Sequence, residues 1–183
     1  MDGIDEQQQS VMDILEPDFA ILTDIHAGAV DLYNAETSAR IRAEHTSRAA
    51  LNSIYALVWK GYQREFGEMP GHHLFDVRGL NVLNISDKVV ARAKRVDANG
   101  RHTNNPTRQQ KDFDHQLPLA GLPSEAIRVV IGYELDPAYS KVERVIVRHT
   151  LGGWVSQIVC VDEAYQWENI TPIQLPLQVG RRG

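Results

Sequence analysis

The sequence predicts an α+β fold: N-terminal helices packed on a mostly antiparallel β-sheet, with a C-terminal β-meander and a short inserted helix. Three observations predict it. Apolar residues recur at helical spacing in the first third of the chain, alternate at strand spacing over 127–135, and form three C-terminal runs separated by short turns. The length of 183 residues suits a single domain over 10–170, with a helical part (10–67) and a sheet part (72–170).

Both ends of the chain are predicted to lie outside this domain. Residues 1–9 are acidic and polar, which favours a disordered N-terminus, and the proline-containing segment 171–183 favours an extended tail. The N-terminus lacks the basic and apolar regions of a signal peptide. No apolar run approaches the roughly 20 residues that span a bilayer. We therefore expect a cytoplasmic protein that does not bind a membrane.

The helical part is predicted to contain a short helix over 10–15, a second helix that starts at Pro17, and a longer helical run over 35–66. Proline is well tolerated in the first turn of a helix. The second helix has an apolar stripe formed by Phe19, Leu22, Ile25, His26, Ala29, Leu32 and Tyr33. The longer run has a stripe formed by Leu51, Ile54, Tyr55, Val58, Trp59, Tyr62 and Phe66. Gly67 and Pro70 then end the helical part.

The chain takes on β character after this breaker. Three short apolar runs, at 74–77, 80–85 and 88–96, precede the turn signal at 97–100, which contains an Asn-Gly pair. Pro106 can occupy the first turn of a helix, so a short helix is expected near 106–116, between two groups of strands.

The C-terminal part is predicted to form an antiparallel meander. Strands over 127–135, 142–149 and 154–161 are joined by turn-forming residues, and a short fourth strand follows. The run over 154–161 carries few charges, so we expect it to be a central, buried strand. Cys160 lies within it and is expected to be a small buried hydrophobe, because a single cysteine cannot form an internal disulfide.

Charge is distributed unevenly along the chain, whose net charge is −5. Residues 1–44 hold ten acidic and two basic residues, a net of −8, so residues 45–183 carry +3. Within the latter, residues 78–111 hold eight basic residues opposed only by Asp87 and Asp97, a net of +6. Such asymmetry predicts something about binding partners rather than about the fold.

The strongest functional candidate is the strand–loop–helix segment 88–111. On a strand, Lys88, Arg92 and Lys94 share one face at a period of two. A helix start near 106 adds backbone N–H groups, which suit phosphate. The predicted nucleic-acid-binding residues are Lys88, Arg92, Lys94, Arg101, Asn104, Arg108 and Lys111. The sequence thus predicts a non-enzymatic binding protein that contacts nucleic acid or an acidic protein partner; the alternative reading of the segment is a sheet edge protected by lysines.

Two other functions remain open. A metal-dependent nuclease would use His and Asp residues of 72–76 and 102–115, since such enzymes place several carboxylates beside a basic groove. The other alternative is a protein–protein adaptor or inhibitor that acts through the N-terminal helices, and a homo-oligomer is compatible with either. His-Glu-x-x-His, paired-cysteine, Walker and Gly-x-Gly-x-x-Gly motifs do not occur. We therefore predict no catalytic residue, no metal and no cofactor.

Overall fold

The structure is a computed structural model that describes residues 4–77, 79–102 and 107–171. Its helices are α1 (Glu6–Leu15), α2 (Phe19–Glu36), α3 (Ala39–Glu44), α4 (Ser47–Phe66) and α5 (Arg108–Asp114), with a 3₁₀ turn (Glu16–Asp18) between α1 and α2. Its strands are β1 (His72–Val77), β2 (Leu80–Ile85), β3 (Val89–Val96), β4 (Ile127–Leu135), β5 (Val142–His149), β6 (Val155–Val161) and β7 (Ala164–Asn169).

The seven strands form one sheet in sequence order, from β1 to β7. Every neighbouring pair is antiparallel except β3 and β4, which are parallel over their whole shared length. Parallel neighbours require a crossover connection, and α5 lies within it. The predicted α+β class, the mostly antiparallel sheet, the C-terminal meander and the short inserted helix are confirmed.

Helices cover one face of the sheet and enclose the main core. Val11, Leu22, Ile54 and Val58 are fully buried there against strand residues such as Ile131. A smaller core on the opposite face lies beneath α5 and consists of Leu80, Val82, Val90, Phe113 and Ala126. The sheet is therefore covered on both faces where β3 and β4 pair. None of the helices in the described ranges is both long and apolar enough to cross a membrane.

Two predicted helix boundaries are wrong, and side-chain caps explain both. Helix α1 begins at Glu6 rather than Ser10, because the Asp5 carboxylate accepts hydrogen bonds from the first turn, 2.7 Å from the Gln7 amide. The run predicted over 35–66 is two helices, α3 and α4. The Thr46 hydroxyl accepts from the Ala49 amide (3.2 Å) and starts α4.

Residues 6–9, predicted to be disordered, are therefore helical, and α1 is attached to the sheet. The Gln8 side chain is buried, and its Nε2 donates to Ser156 Oγ (2.9 Å) and to Asn169 Oδ1 (3.2 Å). The predicted extended tail lies outside the described residues from position 172 onward.

Strand β6 is not central, which corrects a further prediction. It lies second from the edge of the sheet, with only β7 beyond it. Trp154 and Ile158 are buried at 2% and 6% exposure, but Val161 is 45% exposed and Cys160 is exposed. Cys160 shares the inner face with Ile158 at a period of two. The helix layer therefore ends before it reaches Cys160.

Candidate functional site: a cationic cleft

The cleft begins where β2 and β3 separate. These strands pair only from Leu83 opposite Ala91 to Ile85 opposite Val89, so residues 80–82 and 92–96 are not joined by the ladder. Strand β3 stays paired with β4 to its end. The opening thus lies at the carboxyl end of the parallel pair, the position at which open α/β sheets commonly bind ligands.

The walls of the cleft come from α4, α5 and strands β2 to β4. One face of α4 contributes residues at helical spacing, and the Asn81 side chain donates to Tyr55 Oη (3.3 Å), which ties the start of β2 to that helix. The volume is about 720 Å³, within the range of small-ligand clefts. The lining residues are Arg48, Leu51, Asn52, Tyr55, Gly79, Asn81, Arg92, Lys94, Arg95, Gln110 and Tyr133.

The cleft is strongly electropositive. Among the described residues that line it, four are basic (Arg48, Arg92, Lys94 and Arg95) and none is acidic. No ion pair within the described ranges involves any of the four. Low-dielectric walls lined by charges of one sign focus the field and attract an ion of the opposite sign. The arrangement therefore suits an anionic ligand.

Arg92 lies deepest in this cluster. It is 5% exposed, and its guanidinium lies over the Phe113 ring, 5.3 Å from the centroid. Burial lowers the pKa of Arg92, while the charge of Asp114 opposes that shift. Within the described ranges the Arg92 guanidinium forms no ion pair, and Arg95 Nε is buried without a hydrogen-bond partner. Buried donors are almost always satisfied, so Arg95 Nε calls for an acceptor.

Lys94 and His102 share this environment. Burial lowers the pKa of Lys94 to about 8, with a further lowering by Arg92 and an opposing effect of Asp114. Burial also lowers the pKa of His102. Asp114 Oδ2 lies 3.9 Å from His102 Nε2, while Asp114 Oδ1 is buried without a partner in the described chain. A single carboxylate therefore lies near several cations, and the excess of positive charge remains.

The fold sets these side chains through two local features. Successive side chains of β3 point to opposite faces of the sheet. Arg92 and Lys94 therefore lie on the face that α5 covers, whereas Ala91 and Ala93 pack on the main core. Thr107 Oγ1 accepts from the Gln110 amide (3.3 Å), which caps α5 and places Gln110 at the cleft. Helix α5 therefore starts at Arg108, two residues after the start that Pro106 predicted.

The structure brings together only two of the predicted binding residues, Arg92 and Lys94. Lys88 precedes the opposite end of β3, roughly 20 Å from Lys94 along the strand. It lies in a separate shallow depression beside Glu6 and Asp13 of α1. Arg101, Arg108 and Lys111 are exposed and do not line the cleft, and Asn104 lies outside the described residues. Strand β3 is interior in the strand order, but its residues 92–96 pair only with β4, so the protected-edge interpretation stays a prediction for Arg92 and Lys94.

Sequence reasoning missed Arg48, Arg95 and the amide side chains of the cleft. Arg95 continues the alternate positions of Val89, Ala91 and Ala93, which form the apolar face of β3. A charged residue on an otherwise apolar strand face is the signal that could have identified it. Arg48 precedes the apolar stripe of α4 by one helical turn. Its proximity to β3 could not be read from spacing within α4 alone.

The residues named for a nuclease are held apart by structural contacts. His72 Nε2 lies 2.7 Å from Asp18 Oδ2, and Asp76 Oδ1 accepts from the Gly79 amide (2.6 Å) in the β1–β2 turn. His102 pairs with Asp114 elsewhere. Within the part of the chain that the structure describes, no three His, Cys, Asp or Glu side chains converge as metal ligands would.

No family model matches the chain, and neither the curated proteins nor the solved structures contain a match to it. Functional inference therefore depends on the cleft itself.

Proposed function

We propose that this protein is a non-enzymatic binding protein whose cationic cleft holds a phosphate-bearing, single-stranded segment of nucleic acid. One observation carries the proposal: a buried arginine, Arg92, lines a cleft with three other cations and no lining carboxylate. A buried charge costs stability unless it is compensated, and Asp114 supplies a single negative charge near Arg92 and Lys94, so a ligand with further negative charge would compensate the rest.

The composition of the walls supports phosphate as the ligand group. Two arginines and a lysine from one strand call for several negative charges, which the successive phosphodiesters of a nucleic-acid strand supply, and arginine forks suit phosphate oxygens. Asn52, Asn81 and Gln110 add the amide groups that commonly contact sugars and phosphates. A concave opening of about 720 Å³ favours a short flexible strand over a duplex.

Titration of labelled single strands and duplexes at several salt concentrations tests the proposal. If Arg92 and Arg95 contact phosphates, the combined variant Arg92→Met/Arg95→Met should flatten the log–log salt slope by about 1.4, at about 0.7 per contact on single strands. The matched control is Lys88→Met/Arg108→Met, which removes two exposed cations outside the cleft and should leave the slope unchanged.

Two results would contradict the proposal. One is an absence of binding to DNA or RNA at low salt. The other is an equal loss of affinity in the cleft and control variants, which would indicate a diffuse surface attraction. Binding to polyglutamate but to neither nucleic acid would favour the acidic-protein alternative.

A further inference from the structure

Lys94 differs from every other lysine of this chain. Lys60, Lys88, Lys111 and Lys141 are exposed, whereas Lys94 is partly buried within the cationic cleft. It forms no ion pair with a described residue. It shares a strand face with Arg92, two residues away, at a separation of about 7 Å along the strand. Any ligand that enters the cleft therefore comes close to the Lys94 amine.

We propose that Lys94 forms an imine with an aldehyde whose phosphate group is held by Arg92 and Arg95. The inference rests on the proposed function, because the cleft must first bind the phosphate. Arg92 and Arg95 both line the cleft, and Arg95 Nε has no hydrogen-bond partner among the described residues, so both side chains can donate to a phosphate. With the phosphate beside Arg92, a carbonyl group a few bonds away lies within reach of the lysine side chain.

The electrostatic setting makes this amine reactive. Burial and the charge of Arg92 lower the pKa of Lys94 from 10.5 to about 8. At pH 7 roughly one amine in ten is then neutral, against roughly one in three thousand for an ordinary lysine. The neutral amine is the nucleophile, and desolvation beside another cation is an established way to obtain it.

The chemistry is balanced without an oxidant or reductant. The Nζ lone pair attacks the carbonyl carbon, a C–N bond forms, and the C=O π electrons move to oxygen. Proton transfer from nitrogen to oxygen gives a carbinolamine. The C–O bond then breaks and water leaves, so that amine and aldehyde become imine and water. Hydrolysis reverses each step, so the adduct is a reversible form of binding.

The shared chemistry, an aldehyde with a phosphate, has two sources that separate probes distinguish. Pyridoxal 5′-phosphate represents a free phosphorylated aldehyde. A single-stranded oligodeoxynucleotide with one abasic site represents a sugar aldehyde within a nucleic acid. Sodium borohydride reduces either imine to a stable amine, and peptide mass mapping of the full-length protein locates the adduct.

Adducts should concentrate on Lys94. The Lys94→Arg variant keeps the positive charge but has no primary amine, and it should lose the adduct. Lys88→Arg changes an exposed lysine outside the cleft and should retain it. Arg92→Met should reduce labelling by pyridoxal 5′-phosphate at least about tenfold, and by more than it reduces labelling by pyridoxal, which lacks the phosphate and loses only the effect of Arg92 on the pKa of Lys94. The rate of labelling by pyridoxal, which brings no phosphate to raise the pKa of Lys94, should level off above about pH 8, rather than rising to pH 10 as for an exposed lysine.

The outcomes separate this inference from the proposed function. Labelling spread over the exposed lysines, or unchanged in Lys94→Arg, would overturn the imine. Binding of intact single strands without any adduct would overturn the imine and leave the proposed function standing. An adduct at Lys94 with pyridoxal 5′-phosphate, in a protein that binds no nucleic acid, would support the imine and contradict the nucleic-acid ligand.

Discussion

Two buried arginines on one face of the sheet have opposite environments. Arg92 on β3 and Arg128 on β4 lie on adjacent parallel strands and contact the same Phe113 ring, at 5.3 and 5.5 Å from its centroid. They are 5% and 3% exposed. Arg128 Nη1 donates to the Asp112 carbonyl oxygen (3.1 Å), and Gln116 binds the Arg128 backbone. Arg92 has no such partner among the described residues.

Under the proposed function, the difference separates a structural arginine from one that binds a ligand. Arg128 joins α5 to the sheet and helps to hold the crossover between β3 and β4. Arg92 lines the cleft at the gap where β2 has separated from β3. Because burying a charge costs free energy, a bound anion would offset that cost under the proposed function.

The largest expected effect is on stability at Arg128. Arg128→Met should lower the free energy of unfolding by about 2–3 kcal/mol, because the charge-assisted hydrogen bond to the Asp112 carbonyl and the contact with Phe113 are lost, and α5 loses an anchor to β4. Denaturant melts followed by circular dichroism measure this directly. A loss below about 0.5 kcal/mol would mean that the two arginines are energetically alike and would break the comparison.

The next effect is on binding at Arg92. Arg92→Met should weaken the affinity for a single-stranded oligonucleotide at least about tenfold, which corresponds to about 1.4 kcal/mol, through loss of a charge-assisted contact. Isothermal titration calorimetry at low salt provides the measurement, with Arg108→Met, an exposed residue outside the cleft, as the control. Equal affinities for wild type and Arg92→Met would show that Arg92 does not contact the ligand.

A smaller effect is expected on the stability of the unliganded protein. Arg92→Met should leave the free energy of unfolding unchanged or raise it by up to about 1 kcal/mol, because loss of a buried unpaired charge offsets loss of the contact with Phe113. The same denaturant melts serve here. Destabilisation beyond about 1 kcal/mol would show that Arg92 is a structural residue like Arg128.

The smallest effect is on the pH dependence of affinity. A bound phosphate favours protonated Lys94, so its pKa in the complex lies above its value of about 8 in the free protein. Affinity is therefore greatest below pH 8 and decreases as the pH rises through that value, by about twofold between pH 7 and 8. Phosphodiesters do not titrate in this range, so an oligonucleotide isolates the lysine. If the affinity of the wild-type protein did not change between pH 7 and 9, the Lys94 amine would not be close to the phosphate.

The sequence predicted the elements better than it predicted the cleft. Alternation over 127–135 and turn residues on either side are local signals, and the structure confirms the strand β4 there. The parallel pairing of β3 with β4 is not local, because a period of two identifies a strand but not its neighbour. For the same reason, the separation of β2 from β3 after Ala91 has no counterpart in the spacing of residues.

The candidate site was predicted in part for the same physical reason. Arg92 and Lys94 were identified because their spacing on one strand is a local property. Lys88 has the same spacing but lies at the other end of β3, beside α1. Arg48 lies on α4, far from β3 in the sequence, so spacing along β3 could not identify it. Whether a buried arginine is satisfied depends on which carbonyl faces it. The presence of a facing carbonyl distinguishes Arg128 from Arg92, and it depends on the tertiary structure rather than on the local sequence.

The most direct test of the central claim, that the fold leaves Arg92 unpaired for an anionic ligand, is a pair of unfolding curves. Wild type and Arg92→Met are unfolded in denaturant with and without a saturating single-stranded oligonucleotide, which stabilises only a protein that binds it. The account predicts a reversal: the variant at least as stable as wild type without the ligand, and less stable with it. A variant that is less stable by the same amount in both conditions would contradict the account.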